Sequence, residues 1–394
     1  MPTYNRHVIF YRSLLVAGIV FIALNLRPAL TGVGPLIGDI RQDTGLSNAA
    51  LGLLTTLPLL AFGVISALTP LVTRRLGLER TLAAALLLLT AGILLRAIPS
   101  VTLLFTGTIL LGIAIAFGNV LLPSLVKRDF PNHTGIMTSV YSSSMGAGAT
   151  VAAGISVPLA LEFGWRGSLA AMAVPAMIAL VAWLPQLGFR TLPQTTKTLK
   201  ESLRDLGRSS VAWQVASFMG LQSLTFYVIL AWLPEILQSR GLEASYSGWM
   251  LALSQGTGIL GTMLVPTWAG RLRNQRPIIW VLGVLEGVSL LGMFSPVESL
   301  IPLWVSMIGF VLGGTFGLAL LFIVLRTSDT ETATELSGMA QSIGYLMASA
   351  GPILFGYLHD VARGWSVPIL FLVVVLIAKI VTGLGAGRPL RVGQ

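Results

Sequence analysis

The stretch Asn25-Leu26-Arg27-Pro28-Ala29-Leu30-Thr31 puts a guanidinium and two short polar side chains near the middle of an apolar run over residues 13–38. A run of that length can cross a bilayer. An arginine at its centre is costly there, by about a few kcal/mol or more. Pro28 removes a backbone donor and obstructs the preceding turn, so the helix is expected to loosen near Leu24. A guanidinium beside released carbonyls suits a planar anion or an electron-rich oxygen, to which it can donate two parallel hydrogen bonds. The other reading of Arg27 is an ion pair with a carboxylate on a neighbouring helix. Few acids are placed to serve. Glu286 alone stands near mid-depth of an apolar segment, and Glu235 and Asp360 end theirs. Asp39 lies about 18 Å along the axis from Arg27 at about 1.5 Å per residue, near the outer mouth.

Further polar side chains stand inside apolar segments. Asn25 and Thr31 flank the arginine, and Asn25 can equally mend the backbone around Pro28. Asn119, in Phe117-Gly118-Asn119, can bind a ligand or make a helix–helix hydrogen bond. Tyr141, Gln222, Tyr227, Gln255, Gln341 and Tyr345 each read as packing when taken alone. Together they make an uncharged polar and aromatic wall that suits a small, flat, polar substrate. Arg96, near the end of its segment, is expected to extend its head to the interface. His133 and His359 are expected at the interface as well. Gly146-Ala147-Gly148 with Gly154 and Pro158 reads as a close helix-packing surface, because no strand–loop–helix context for a phosphate cradle accompanies it. The sequence holds no Walker pattern, metal cluster or hydrolytic constellation, so neither an enzyme nor a cofactor is expected.

The elements that must position these residues follow from composition. Of 394 residues, 54% are hydrophobic and 10% charged, where a soluble domain carries about 25% charge. The net charge of +10 raises the question of nucleic acid, but the basic residues lie in short loops between apolar segments, so the partner expected is a lipid bilayer. The chain has no cysteine, which excludes disulfides and thiolate chemistry. Twelve transmembrane segments are expected, at 13–38, 48–72, 80–99, 101–126, 134–160, 166–186, 211–237, 246–270, 277–295, 299–325, 335–358 and 366–386. Met1 to Arg12 is short and polar, and the first segment is too long for a signal-peptide core. Alternate loops divide the cations unevenly. One side holds Arg74, Arg75, Arg80, Lys127, Arg128, the linker cations and the C-terminal group in which Lys379, Arg388 and Arg391 are counted. The other holds Arg41, Arg96, Arg166, Arg240 and Arg363. By the positive-inside rule both termini are cytoplasmic, and the basic loops touch anionic lipid.

The longest polar interruption, 191–210, divides six segments from six. Three matches span it in order. Thr44-Gly45-Leu46 with Gly52 matches Arg240-Gly241-Leu242 with Gly248; residues 134–140 match 337–343; Gly164-Trp165 matches Gly364-Trp365. The chain is therefore read as a duplicated unit: an all-α membrane protein with a six-helix bundle at 1–190, a cytoplasmic linker at 191–210 and a second bundle at 211–394.

Two parallel six-helix halves resemble the major facilitator superfamily. That resemblance implies a midplane site reached by rocking of one half against the other. It implies that the first, fourth, seventh and tenth helices line the cavity, with the second, fifth, eighth and eleventh beside them. The ninth is then peripheral, which leaves Arg27 without an acid on a cavity helix and favours its substrate role. For Glu286 two readings stand, a proton-coupling carboxylate or a protonated structural residue with one hydrogen-bond partner. The second is preferred; Asp39 is the other candidate for proton coupling. At finer grain, Asn25-Leu26-Arg27-Pro28, Leu53 to Pro58, Gly118 to Pro123 with Lys127 to Pro131, Ala231-Trp232-Leu233-Pro234 and Leu336 to Tyr345 resemble the cyanate permease and 2-nitroimidazole transporter family. The runs Leu53 to Phe62 and Asn119 to Pro131 resemble its nitroimidazole branch. The loop Arg74-Arg75-Leu76-Gly77-Leu78-Glu79-Arg80 lacks the aspartate of the superfamily's usual pattern, so the usual charge latch is not expected there. The resemblance implies an inner-membrane secondary transporter, a monomer whose partner is a small-molecule substrate such as a cyanate-like anion or a 2-nitroimidazole-like heterocycle. A broad drug exporter with a structural Arg27, a ligand sensor and a passive channel are the rivals.

Overall fold

An apolar run away from water satisfies its backbone most simply as an α-helix, because each N–H then finds its partner within the segment. The computed structural model describes residues 2–46, 48–188, 199–293, 295 and 297–392, and among them the regular structure is helical. In order the helices are α1 (Pro2–Asn25), α2 (Pro28–Thr31), α3 (Ile37–Thr44), α4 (Asn48–Leu76), α5 (Leu78–Ala97), α6 (Val101–Asp129), α7 (Thr134–Ala171) and α8 (Ala173–Trp183). After them come α9 (Leu199–Arg208), α10 (Ser210–Gln238), α11 (Ala244–Ala269), α12 (Arg276–Gly292), α13 (Ile301–Leu325), α14 (Thr330–Ala362) and α15 (Ser366–Ala386). Of the linker expected at 191–210, residues 191–198 lie outside the described residues, and α9 occupies most of the remainder. Eight segments among the described residues are long and apolar enough to cross a membrane.

Contacts divide the chain into two compact units: Met1–Leu125 with Val140–Thr196, and Val126–Ser139 with Lys197–Gln394. In the first, α4 and α5 are joined through Gly77, which adopts φ +83°, a conformation costly for a side chain with a Cβ. Helices α5 and α6 cross at Gly92 and Gly107, where a Cβ on Gly107 would lie 2.5 Å from Gly92 O. Trp183 of α8 fills the space left by Gly18 of α1 and donates its indole N–H to Glu79 O at 3.0 Å. Helix α7 bends sharply at Gly164 (φ +69°). There Trp165 and Arg166 both donate to Asp43, at 3.2 and 2.5 Å.

In the second unit, Gly309 and Gly313 of α13 lie against Ser254 O and Gly258 O of α11, closer than any Cβ would allow. Small residues four apart on one face let two helix backbones meet without an intervening side-chain layer. Met219 and Gly220 of α10 meet Gly344 and Met347 of α14 in the same manner. Residues 126–139 pack within this unit: Lys127 Nζ donates to Val324 O at 3.1 Å and Thr327 O at 2.6 Å, capping the end of α13. Ser139 and Thr267 hydroxyls lie 2.8 Å apart.

Leu60, Val64, Leu68 and Leu71 form an exposed apolar stripe along α4, and Leu370, Val374, Ile377 and Val381 form another along α15. At helical spacing such stripes are faces built for lipid.

Candidate functional site

The first apolar segment is broken where its sequence requires. Helix α1 ends at Asn25, α2 begins at Pro28, and Arg27 occupies the junction with φ −123° and ψ −30°. Pro28 supplies no N–H, so Leu24 O loses its helical donor, and a Cβ on Gly148 of α7 would overlap that carbonyl. The expected loosening near Leu24 is thus seen as a tightened turn, Leu26 N to Ala23 O at 3.2 Å, followed by the junction itself. Arg27 O restarts the helix, accepting from Leu30 N and Thr31 N at 3.0 Å and from Thr31 Oγ1 at 3.3 Å. The Arg27 side chain is half-buried. Thr31 Oγ1 also donates to Ala149 O at 3.1 Å, which ties the turn to α7.

Asn25 is 2% exposed, and its amide N–H groups go to Phe21 O at 2.8 Å and Pro175 O at 3.0 Å. Both donors of the side chain are therefore spent on backbone, which is the mending role open to it from sequence. Leu26, on the other side, fills the place where a Cβ on Gly118 of α6 would stand, and Asn119 is buried next to it in the chain. Tyr141 of α7 is 1% exposed and its hydroxyl has no hydrogen-bond partner among the described residues. Asp39, on α3, is exposed.

Arg96 departs from its expectation. It does not reach for the interface: it is 1% exposed, and Nη1 donates to Ala29 O at 2.7 Å, at the helix break. Its Nε and Nη2 are buried with no partner among the described residues. The aliphatic stem fits because Gly107 lies opposite; a Cβ there would be 2.8 Å from Arg96 Cγ.

In the second unit, Gln222 and Tyr227 lie on α10, Gln255 on α11, and Gln341 and Tyr345 on α14. Gln222 is buried; Nε2 donates to Ser223 Oγ at 2.6 Å while Oε1 has no partner among the described residues. Tyr227 stacks edge-on with Phe226 at 5.3 Å. Gln255 is half-buried, with Nε2 3.5 Å from Ser254 Oγ, and Gln341 and Tyr345 are buried on the helix that packs closely against α10.

Two sequence expectations fail together at Glu286. Lys379 is not a loop cation: it lies inside α15, 2% exposed, with Nζ 2.5 Å from Glu286 Oε1 on α12 and 3.4 Å from Thr225 Oγ1 on α10. Glu286 is therefore one half of a buried ion pair rather than a neutral acid with a single partner. The physical reason is mutual: either charge alone in this core would cost several kcal/mol or more, roughly, and each supplies the other's counter-ion. The signal available in the sequence was a lysine in the middle of an apolar segment, 93 residues from the one acid at similar depth.

Long apolar helices with exposed apolar stripes and close glycine contacts define a helical integral membrane protein. The profile of the Major Facilitator Superfamily matches residues 14–352, and the chain belongs to that superfamily. It is 43% identical over 379 residues to the 2-nitroimidazole transporter of Escherichia coli (strain K12), covering 96% of each chain. It is 31% identical over 350 residues to the cyanate transport protein CynX of the same organism, covering 88% of this chain and 90% of that one. A crystal structure of the E. coli fucose:proton symporter FucP shares the fold at TM-score 0.72 and 14% identity, covering 93% of this chain and 97% of that one. Within the superfamily the chain thus groups with the cyanate and 2-nitroimidazole transporters. It is a multi-pass membrane protein and a secondary transporter.

Proposed function

We propose that the chain moves a small, flat, polar nitrogen compound or anion, of the 2-nitroimidazole or cyanate kind, across the inner membrane by alternating access. It does so as a monomer with twelve crossings and both termini in the cytoplasm. The observation that carries this reading is the break at Leu26–Arg27, which sets a half-buried guanidinium at a helix junction inside the first apolar segment. Arg27 donates to the substrate's nitro, cyanate or carboxylate acceptor. Asn119 and the Tyr141 hydroxyl are the proposed neutral contacts of the first unit. In the second unit they are Gln222, Tyr227, Gln255, Gln341 and Tyr345. Asn25 holds the break in shape rather than touching substrate, since its N–H groups are committed. Glu286 is committed to Lys379, so Asp39 is the acid proposed for proton coupling.

Counterflow in proteoliposomes tests the reading, with labelled cyanate and labelled 2-nitroimidazole on wild type beside Arg27→Gln. Saturable exchange of either compound, lost in a folded Arg27→Gln, is the expected result. Exchange that survives in the variant makes Arg27 structural. Absence of exchange in wild type removes both substrates.

A further inference from the structure

Ala29 O is the carbonyl that a regular helix would give to the amide of Val33, four residues on. That bond is not made. Val33 N turns instead to Leu30 O at 3.3 Å, and the chain continues as a tight turn over Gly34–Leu36 before α3 resumes. The donor that takes Ala29 O is Arg96 Nη1, at 2.7 Å, reaching from α5, 67 residues away in sequence. The two carbonyls before Ala29 O keep ordinary helical partners, Thr31 N on Arg27 O and Gly32 N on Pro28 O. Proline explains the break on the N-terminal side of Arg27. Pro35 takes away the donor that Thr31 O would have and obstructs the turn before it, but Val33 keeps its N–H, so no proline removes the donor of Ala29 O.

Arg96 is a costly way to bind one carbonyl. It is 1% exposed, and among the described residues neither Nε nor Nη2 has a partner. Two buried guanidinium N–H groups without acceptors are a standing penalty, and an apolar side chain of similar shape would avoid it. Gly107, which makes the room, leaves no slack at Arg96 Cγ. A residue kept only for stability is not expected to be built so. We infer that Arg96 is a positioning residue for transport: by taking Ala29 O it holds the first segment open beyond Arg27, and so fixes where the Arg27 guanidinium is presented. The inference rests on Arg27 contacting substrate, as proposed above. Its structural half does not.

Removing the guanidinium returns Ala29 O to Val33 N and lets residues 29–33 close into a regular helical turn ahead of Pro35. Hydrogen exchange on the purified full chain reads this without substrate. In Arg96→Leu, amides of 29–33 are expected to exchange at least tenfold more slowly than in wild type, with thermal stability equal or higher. In counterflow of labelled 2-nitroimidazole, Arg96→Leu is expected to raise half-saturation at least tenfold while maximal exchange changes less than threefold. Arg96→Lys, which can still donate to Ala29 O, is expected to recover part of that loss. Unchanged or faster exchange over 29–33, or a fall in stability with half-saturation intact, overturns the inference. If Arg27→Gln transports normally while Arg96→Leu slows exchange at 29–33, the reading of Arg27 fails and the role of Arg96 in shaping the turn stands.

Discussion

The segments that open the two repeats have taken opposite courses. In the first unit it is cut at Leu26–Arg27 and loosened again after Ala29; in the second, α10 runs unbroken from Ser210 to Gln238. The cations buried beside them differ in the same direction. Arg96 meets the first segment through a carbonyl, whereas Lys379, which touches α10 at Thr225, is neutralised by Glu286. A carbonyl offers only a partial charge, so Arg96 keeps a charge that Glu286 cancels at Lys379, while Arg326 of the second unit, buried on Ala386 O and Gln275 Oε1, is held as Arg96 is.

The largest expected effect tests whether the charge of Lys379 is truly cancelled. Glu286→Gln or Lys379→Met alone leaves a buried charge without its partner and should cost about 3–5 kcal/mol, read as thermal unfolding in detergent. The double variant Glu286→Met with Lys379→Met should recover most of it. Single changes that leave the melting temperature in place would mean the pair is not closed, and the contrast between Arg96 and Lys379 would lapse.

The close approach at the break comes next. Gly148→Ala puts a Cβ into Leu24 O and should destabilise by about 1–3 kcal/mol, whereas Gly154→Ala, six residues along the same helix and facing open space, should be neutral or slightly stabilising. Equal melting temperatures for the two would show that α7 does not clasp the break. Asn25→Ala should cost about 1–3 kcal/mol by removing two buried hydrogen bonds, to Phe21 O and Pro175 O. Unchanged stability with a raised half-saturation would instead make Asn25 a substrate contact.

The smallest effect sets the scale away from both cations. Asp329 caps α14, accepting from Thr332 N at 2.8 Å. Partial burial raises its carboxyl, but hydrogen bonds from Ser328, Thr332 and the Glu331 backbone together outweigh this and hold it below the usual carboxylate range. A depressed carboxyl contributes stability that is fully present above its unfolded value and lost as pH falls through the folded one. Asp329→Ala should cost about 1 kcal/mol near neutrality and progressively less below about pH 4, by pH-dependent thermal unfolding. A pH-independent cost would assign the effect to packing.

Local chemistry was legible and distant pairing was not. Arg27-Pro28 announced the break, and two of the three repeat matches lie at or beside left-handed turns, while 134–140 and 337–343 lie within α7 and α14. Gly45 and Gly241 both take left-handed φ, +66° and +87°, in the loops that follow the opening segments. Gly164 (φ +69°) and Arg363 (φ +51°), beside the two Gly-Trp pairs, do likewise. Proline and glycine act on their own neighbours, so their effects can be read in order along the chain. Arg96 on Ala29 O and Lys379 on Glu286 join residues 67 and 93 positions apart, and nothing in spacing identifies which helix an intramembrane cation will face. What the sequence did offer was the anomaly itself, a cation inside or at the end of an apolar run. That anomaly is legible as a demand for a partner, though not as the partner's name.

Equilibrium binding of labelled 2-nitroimidazole to the purified protein, competed by cyanate, tests the central claim most directly when wild type, Arg27→Gln and Gln222→Leu are measured side by side. Recognition centred on the broken segment predicts saturable binding in wild type, loss of at least a hundredfold in affinity for Arg27→Gln, and less than tenfold for Gln222→Leu. Wild-type affinity in a folded Arg27→Gln, or a larger loss in Gln222→Leu, would contradict it.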